Sequence, residues 1–512
     1  MASPSEKLAQ SLEVLQALMQ SGKVAIRSAD LTRLHRERLV KQGFLQEVVR
    51  GWYIQSRPDE KEGDSTAWYA SFWKFCAGYL DFRFNNDWIL TPEQSISLLV
   101  ENQSSPRQLL VRAPKAGNNI LALLHGSSLL DVVSTLPEQK DRIVQDGIQL
   151  FALPAALVAC QPAFYTQNPT DIRAALAMIR DASEVLPLLL DGGKSVVAGR
   201  LAGAFRSIGR ESIADDIVKT MKTADYNVRE VNPFEALAPV VLSQDMRSPY
   251  VNRIHLMWQQ MRPSVIEAFP SKPDKPVDAQ VYMDRVEEIY LTDAYHSLSI
   301  EGYRVTPELI ERVRSGNWNP EGSEQEKNQR DALAARGYWQ AFQSVKLSVE
   351  KVLNGTLPGD AAAKGHRDWY RELFGPSVVA GILKPMDLAG YRTDQVYLRG
   401  SMHVPPRAAV VRDAMPALFA LLRDEQDPAV RVVLGHFMFV YIHPYMDGNG
   451  RMGRFLMNVM LASGGYPWVV IPVEERSHYM TALESASANH DIAPFTTFLS
   501  NLVVATMKHE QA

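Results

Sequence analysis

The stretch HPYMDGNGRMGR, His443 to Arg454, gathers one histidine, one carboxylate, a Gly-Asn-Gly turn and two arginines into twelve positions, directly after an apolar run. Those residue types suit phosphate chemistry. A histidine titrates near neutrality and can take the proton of a hydroxyl that attacks phosphorus. Asp447-Gly448-Asn449-Gly450 is turn chemistry: the glycines permit positive φ and the backbone N–H groups are free to converge. A helix starting near Arg451 would add its positive N-terminal dipole, which makes an anion hole. Arg451 and Arg454, three apart on the first turn, can clamp a polyphosphate, while Asp447 offers a hard oxygen to magnesium.

The elements that must hold this set can be read on either side of it. Ala429 to Ile442 is apolar nearly all round, as a helix buried inside a bundle is. Pro444 disfavours the α conformation in the residue before it, so His443 ends that helix on a rigid point. Earlier, Tyr282, Val286, Ile289 and Tyr290 share one stripe of another helix, and helical patterns dominate everything after Phe269.

The whole chain sets the frame. At 512 residues it is too long for one core, and hydrophobic content of 46%, charge of 22% and a net charge of -4 describe an ordinary globular protein not broadly adapted to polyanions. Cys76 and Cys160 are the only cysteines and lie far apart, which excludes a disulfide framework and a cysteine metal site. MASPSEKLAQ lacks the layout of a secretory signal, and the most apolar runs, LFALPAALVAC and VVLGHFMFVYI, are shorter than a membrane helix needs. The expectation is a cytoplasmic protein with no membrane partner.

Leu8, Leu12, Leu15 and Leu18 recur at helical spacing and stop at Ser21-Gly22. From Gly22 to Ile54 seven basic residues face three acidic ones, a local charge of +4. A helix over about 29–42 and two short strands, FLQEVV and WYIQ, follow there, and helices with a small hairpin suggest a winged helix. Arg33, Arg36 and Arg38 are then candidate contacts to duplex DNA. LVKQGFLQEVVRGWYIQ resembles the N-terminal module of AbiEi-type antitoxins, and LVRAPKAGNN and RLAGAFRSIGRESIADDIVKTM resemble the region that follows it in those proteins. Between 61 and 269, strand-like runs (DWILTP, SISLLV, QLLVRAP) alternate with helical ones (DIRAALAMIRDASEVLPLLL), which predicts a mixed α/β unit. No catalytic constellation stands out there; Arg112 and Lys115 read as scattered surface charge. FPSKPDKP carries three prolines and makes the natural linker. The predicted organisation is a winged-helix-like domain at 1–60, an AbiEi-like α/β domain at 61–269, a linker at 270–276 and a mainly helical domain at 277–512.

HPYMDGNGRMGR also resembles the Fic motif, HPFx(D/E)GN(G/K)RxxR, and departs from it only at Tyr445, which keeps an aromatic ring where phenylalanine is usual. The similarity runs from about Asp278 to Val504, and GYRTDQVYLRG with HVPP, residues 390–406, is similar to the Fic flap, a β-hairpin with a Pro-Pro exit. The resemblance implies a multidomain α+β chain ending in a helical Fic fold, with ATP as substrate, Mg2+ as cofactor and a target protein as partner. It implies AMP transfer to a Ser, Thr or Tyr hydroxyl with His443 as base and Asp447 as the metal ligand. Gly448, Asn449 and Gly450 would hold the α- and β-phosphates and Arg451 and Arg454 the outer ones, with Tyr479 lining an adenine pocket. Gln395, Val396, Tyr397 and Leu398 would align the target segment by strand addition. An acidic residue at 447 and glycine at 450 favour adenylylation over the kinase-like variant. His403, His436 and His478 are left structural.

SLSIEG, Ser297 to Gly302, matches the family's inhibitory motif, (S/T)xxxE(G/N), in the class whose inhibitory helix precedes the Fic motif in the same chain. Glu301 could then pair with Arg454, Ser297 would hold the helix end, and Gly302 would let the chain turn away. The rival readings are a DNA-binding regulator or antitoxin-like protein whose Fic fold only responds to nucleotide, and a Fic enzyme that removes AMP. A homo-oligomer is compatible with each.

Overall fold

The structure, a computed structural model, describes residues 3–58, 65–234, 248–273, 278–316 and 326–511. These form two compact units, one of Met1–Arg253 with Tyr397–Val404, the other of Ile254–Val396 with Pro405–Ala512.

The first unit opens with helix α1 (Pro4–Gln20), which begins in a capping box: Ser3 Oγ accepts from Glu6 N at 3.2 Å and Glu6 Oε2 accepts from Ser3 N at 2.7 Å. Strand β1 (Ile26–Arg27), helix α2 (Arg33–Lys41) and strands β2 (Leu45–Val49) and β3 (Trp52–Gln55) follow, and the strands pair antiparallel in the order β1-β3-β2. Leu15, Ile26, Leu31, Leu39, Leu45 and Tyr53 close a small core between them. The order of two helices and a hairpin is as the sequence suggested, although α2 starts at Arg33 because the Thr32 hydroxyl caps it, accepting from His35 N at 3.3 Å.

Helix α3 (Thr66–Phe84) puts Trp68, Phe72, Phe75 and Leu80 into a second core. Over it lies a mixed four-stranded sheet, β4-β5-β7-β6, built from β4 (Ile89–Leu90), β5 (Gln108–Ala113), β6 (Ile120–Ala122) and β7 (Ser128–Val133), with β5 and β7 parallel. Helix α4 (Pro92–Leu99) lies between β4 and β5; strands β8 (Arg142–Gln145) and β9 (Ile148–Phe151) form a separate hairpin. SISLLV, expected as a strand, is thus helical. Thr91 caps that helix, accepting from Gln94 N at 3.3 Å, Pro92 starts it, and its serines face inward: Ser97 Oγ donates to Asp171 Oδ2 at 2.7 Å. Apolar-polar alternation therefore did not mark a solvent face.

Helices α5 (Leu153–Ala159), α6 (Phe164–Gln167), α7 (Pro169–Met178), α8 (Leu186–Leu190), α9 (Ser195–Ser207) and α10 (Glu211–Thr223) complete the unit. The single helical run expected from Asp171 to Leu190 is broken, because Asp181 Oδ1 accepts from Ser183 N at 2.8 Å and Glu184 Oε1 from Arg180 N at 2.7 Å, restarting the chain.

The division between the units falls within helix α11 (Pro249–Ala268) rather than at the proline-rich linker, of which residues 274–276 lie outside the described residues. The second unit is helical: α12 (Ala279–Ile300), α13 (Pro307–Arg314), α14 (Glu326–Leu353), α15 (Pro358–Val379), α16 (Ala408–Asp424), α17 (Pro428–Ile442), α18 (Asn449–Ser463), α19 (Arg476–Asn489) and α20 (Ala493–Gln511). As its composition predicted, α17 is buried on nearly every side, Val432, Leu434, Phe437 and Met438 being fully enclosed. It has no face for water.

The β-hairpin flap expected over 390–406 is not formed. Those residues contain no strand; the chain turns at Arg399-Gly400. Pro405 and Pro406 lack the N–H that a ladder needs, and side chains take the carbonyls instead: Gln395 Nε2 donates to Pro405 O at 2.7 Å and to Val396 O at 3.2 Å, and Arg392 Nη1 to Asp394 O at 2.9 Å.

Candidate active site

The site is built where α17 meets α18. Asp427 caps α17, its Oδ1 accepting from Ala429 N at 2.9 Å, and the helix ends at His443, which takes the left-handed conformation (φ 52°, ψ 63°). His443 N still donates to Phe439 O at 3.0 Å, closing the last turn. Its imidazole Nδ1 lies 3.3 Å from Val440 O. A carbonyl only accepts, so Nδ1 carries the proton there and Nε2 keeps a lone pair. Burial pushes His443 down to about 4, against the upward pull of its hydrogen bond to Val440, with the Arg392 charge adding to the downward shift and Glu301 and Asp447 opposing it. The ring is a neutral base at pH 7.

The loop to α18 is fixed by its own side chains. Asn449 exchanges two hydrogen bonds with the backbone of Tyr445, Oδ1 accepting from Tyr445 N at 2.9 Å and Nδ2 donating to Tyr445 O at 2.8 Å. The Asn449 side chain is therefore spent on the loop, which leaves its backbone N–H for the expected phosphate contact. Tyr445 is 1% exposed and stacks on Tyr370 with ring centroids 3.9 Å apart. Gly448 sits at φ 81°, and a Cβ there would lie 2.7 Å from Phe374 Cε2. No other residue fits that position.

Asp447 is the exposed member, with Oδ1 accepting from Gly448 N at 2.6 Å and Oδ2 3.6 Å from Arg451 Nη2. Among the described residues no group of three or more His, Cys, Asp or Glu side chains could hold a metal ion. A lone carboxylate on a turn fits magnesium, which keeps waters and takes its other oxygens from a substrate's phosphates.

Both arginines are buried. Arg451 is 1% exposed, with its guanidinium 5.2 Å from the Tyr303 ring centroid and 5.0 Å from that of Phe374. Arg454 points at the end of α12: Nε donates to Ser297 Oγ at 2.9 Å, Nη2 to Ser297 O at 3.0 Å and to Glu301 Oε1 at 2.7 Å. Burial works against the Arg454 charge, yet Glu301 raises its pKa. Burial likewise disfavours the Glu301 carboxylate, but the charges of Arg454 and Arg451 hold it below the usual range.

The same carboxylate lies over the N-terminus of α18. A Cβ on residue 450 would be 2.3 Å from Glu301 Oε1, so glycine at that position leaves the space the carboxylate fills. The helix end that carries Glu301 is tied down: Arg476 Nε donates to Ile300 O at 2.8 Å and Val473 N to His296 Nδ1 at 3.1 Å. Gly302 (φ 86°) then turns the chain away.

Sequence reasoning missed several residues here. Asp293, one turn before Ser297, is 5% exposed and accepts from Tyr338 Oη at 2.7 Å; burial pushes it up to about 6. Its four-residue spacing from Ser297 was the available signal. Arg392 and Arg476, both bonded to backbone carbonyls, gave none. Tyr479, expected at an adenine pocket, is 1% exposed, with its hydroxyl 2.7 Å from His436 Nε2. His436 is itself fully enclosed, and burial depresses it to about 3.

Elsewhere, Arg38 Nη1 donates to Lys7 O at 2.5 Å and Ser11 Oγ at 2.7 Å, and Arg36 Nη1 to Ser28 O at 3.2 Å. Those two guanidinia hold α2 in place. Arg33, 82% exposed, is paired with Glu37 at 2.7 Å. No helix of the described residues is long and apolar enough to cross a membrane.

A helical domain that sets a neutral histidine beside a glycine-lined helix N-terminus, with two buried arginines behind it, has the groups that phosphate chemistry needs. Residues 366–461 match the model of the Fic/DOC family, so the chain carries a Fic domain. A Drosophila grimshawi protein named "Protein adenylyltransferase Fic" is 31% identical over 225 residues, 43% of this chain and 43% of that protein. The Drosophila mojavensis protein of the same name is 30% identical over 43% of this chain and 41% of its own length. The chain thus spans less than half the length of these relatives. A solved structure described as Fic-1 (aa134 - 508) from C. elegans aligns over 66% of this chain and 86% of its own at 19% identity, with a TM-score of 0.38.

Proposed function

We propose that this chain is a protein adenylyltransferase, moving AMP from ATP to a Ser, Thr or Tyr hydroxyl of a target protein, and that Glu301 restrains it. The observation that carries the reading is the juxtaposition of a neutral His443 with an anion site at the start of α18 that an internal carboxylate fills. The names of the Drosophila relatives support it.

The hydroxyl oxygen attacks the α-phosphorus and forms the new O–P bond, the α–β bridging P–O bond breaks, and pyrophosphate leaves. The hydroxyl proton goes to Nε2 of His443, whose Nδ1–H stays on Val440 O. Backbone N–H groups of Gly448 to Gly450 take the inner phosphates and Arg454 the outer one, once Glu301 has withdrawn. Asp447 would hold Mg2+, which would supply charge neutralisation at the phosphates. Residues 395–398 carry the target segment.

For residues 1–60 we retain the winged-helix reading, supported by the order of helices and hairpin, with Arg33 as the arginine free to swing from Glu37 to a DNA phosphate.

The reading is tested by incubating the Glu301→Gly chain with ATP and cell lysate and mapping products by mass spectrometry. Adenylyl groups on Ser, Thr or Tyr are the expected outcome, and their complete absence from both chain and lysate would overturn it.

A further inference from the structure

Arg392 is 4% exposed. Its backbone N donates to Pro444 O at 2.9 Å and its Nε to His443 O at 2.8 Å. Nη1 donates to Asp394 O at 2.9 Å, and Nη2 to Pro406 O. One guanidinium therefore gathers the carbonyl of the base and the carbonyls on both stems of the segment between Asp394 and Pro406. Gln395 adds a second tie across the same stems, to Pro405 O at 2.7 Å.

Those bonds compensate for what the segment lacks. Without strand pairing, nothing in the backbone of residues 394–396 and 405–406 fixes their separation, and the side-chain ties do it instead. At His443 the need is different. A left-handed histidine costs on the order of 1 kcal/mol or more and persists only where its surroundings over-determine it. Arg392 caps the two carbonyls, His443 O and Pro444 O, that this conformation turns away from the helix, and a planar guanidinium can serve three acceptors in one fixed geometry. A lysine could satisfy the charge but not all three directions.

We propose that Arg392 is a positioning residue that holds the two stems of the target-docking segment, residues 394–396 and 405–406, in one register with the base, so that transfer to the hydroxyl depends on it while ATP binding does not. This rests on the adenylyltransferase reading for what the register achieves, but the ties themselves are independent of that reading. ATP meets the α18 N-terminus and Arg454, neither of which Arg392 touches. Acceptor alignment is the step in which a shift of about 1 Å can cost on the order of a hundredfold in rate.

The experiment uses the full chain in the Glu301→Gly background, comparing Arg392 with Arg392→Gln and Arg392→Lys. ATP affinity is measured by titration, self-modification by single turnover at saturating ATP, and amide hydrogen exchange over residues 393–404 and 440–447. For Arg392→Gln the ATP affinity should stay within about twofold while transfer falls at least about tenfold, with faster exchange in both segments. Arg392→Lys should recover part of the rate, and it carries the same comparison if the glutamine variant does not fold. Unchanged transfer, or transfer and ATP binding lost together with exchange as in the parent, would overturn the proposal. If the parent transfers no AMP, faster exchange in both segments still upholds the positioning role and the failure belongs to the adenylyltransferase reading; unchanged exchange overturns the role itself.

Discussion

Replacing Glu301 with glycine removes a carboxylate bonded to Arg454 at 2.7 Å, in a pair whose side chains are 24% and 4% exposed. A hydrogen bond between charged groups in such a setting is worth about 1.5–3 kcal/mol net. A phosphate must displace it to reach Arg454, and at about 1.4 kcal/mol per factor of ten the competition weakens productive ATP binding by roughly 10- to 150-fold. The fold should tolerate the change. Arg454 keeps Ser297 Oγ and Ser297 O, the end of α12 keeps its tie to Arg476, and removing a negative charge from a helix C-terminus is mildly favourable. The assay is the initial rate of self-modification across ATP concentrations. Glu301→Gly should raise it roughly 10- to 100-fold below saturation; Glu301→Gln, which removes charge but not bulk, separates the electrostatic share from the steric one. Adding Arg454→Ala should cancel the gain. Equal rates for wild type and Glu301→Gly at every ATP concentration would refute the claim that this carboxylate restrains the site.

His443→Ala should lower transfer about 100-fold or more while ATP titrates normally, because the phosphate contacts lie elsewhere. Burial holds His443 near 4, so its base form persists as pH falls: the rate profile should stay flat from pH 8 to about 5 and drop only below, whereas a midpoint near 6.5 would contradict the buried neutral ring. Asp293, raised to about 6, favours the folded state below its unfolded pKa of about 4 and loses that advantage as pH climbs to 6; Asp293→Asn should stabilise the chain by about 2 to 3 kcal/mol at pH 8 and not at pH 4, checked by denaturant unfolding at both. If the N-terminal module reads DNA, the full chain should bind duplex with a steep salt dependence that Arg33→Ala reduces by about one unit of slope, and no binding at low salt would dismiss that role.

The sequence disclosed what depends on local chemistry. The apolar run of α17 and the stop at His443-Pro444 are encoded within a few residues of each other and appear as read, whereas α18 starts at Asn449, two residues before Arg451, so that Asn449 and Gly450 belong to the helix and, of that turn, only Gly448 takes a positive φ. The Glu301–Arg454 contact joins positions far apart in the chain, and it was the resemblance of SLSIEG to the family's inhibitory motif that pointed to it. What stayed hidden was carried by long-range partners. Arg392 is an arginine bonded to backbone carbonyls, and carbonyls leave no mark in a sequence. The resemblance of residues 390–406 to the Fic flap implied a hairpin, but side-chain ties stand where the ladder was expected. SISLLV alternated like a strand and folded as a helix, because Thr91-Pro92 nucleates one and the serines found buried partners. The contact of the Tyr479 hydroxyl with His436, 43 residues earlier in the chain, likewise left no local mark.

The central claim, transfer of the adenylyl rather than the terminal phosphoryl group, is tested most directly by parallel reactions of the Glu301→Gly chain with ATP labelled at the α- or the γ-phosphorus. Protein-bound label is expected from the α position only, with released pyrophosphate in equal amount, and neither in His443→Ala. Label on protein from the γ position, or label from neither, would contradict it.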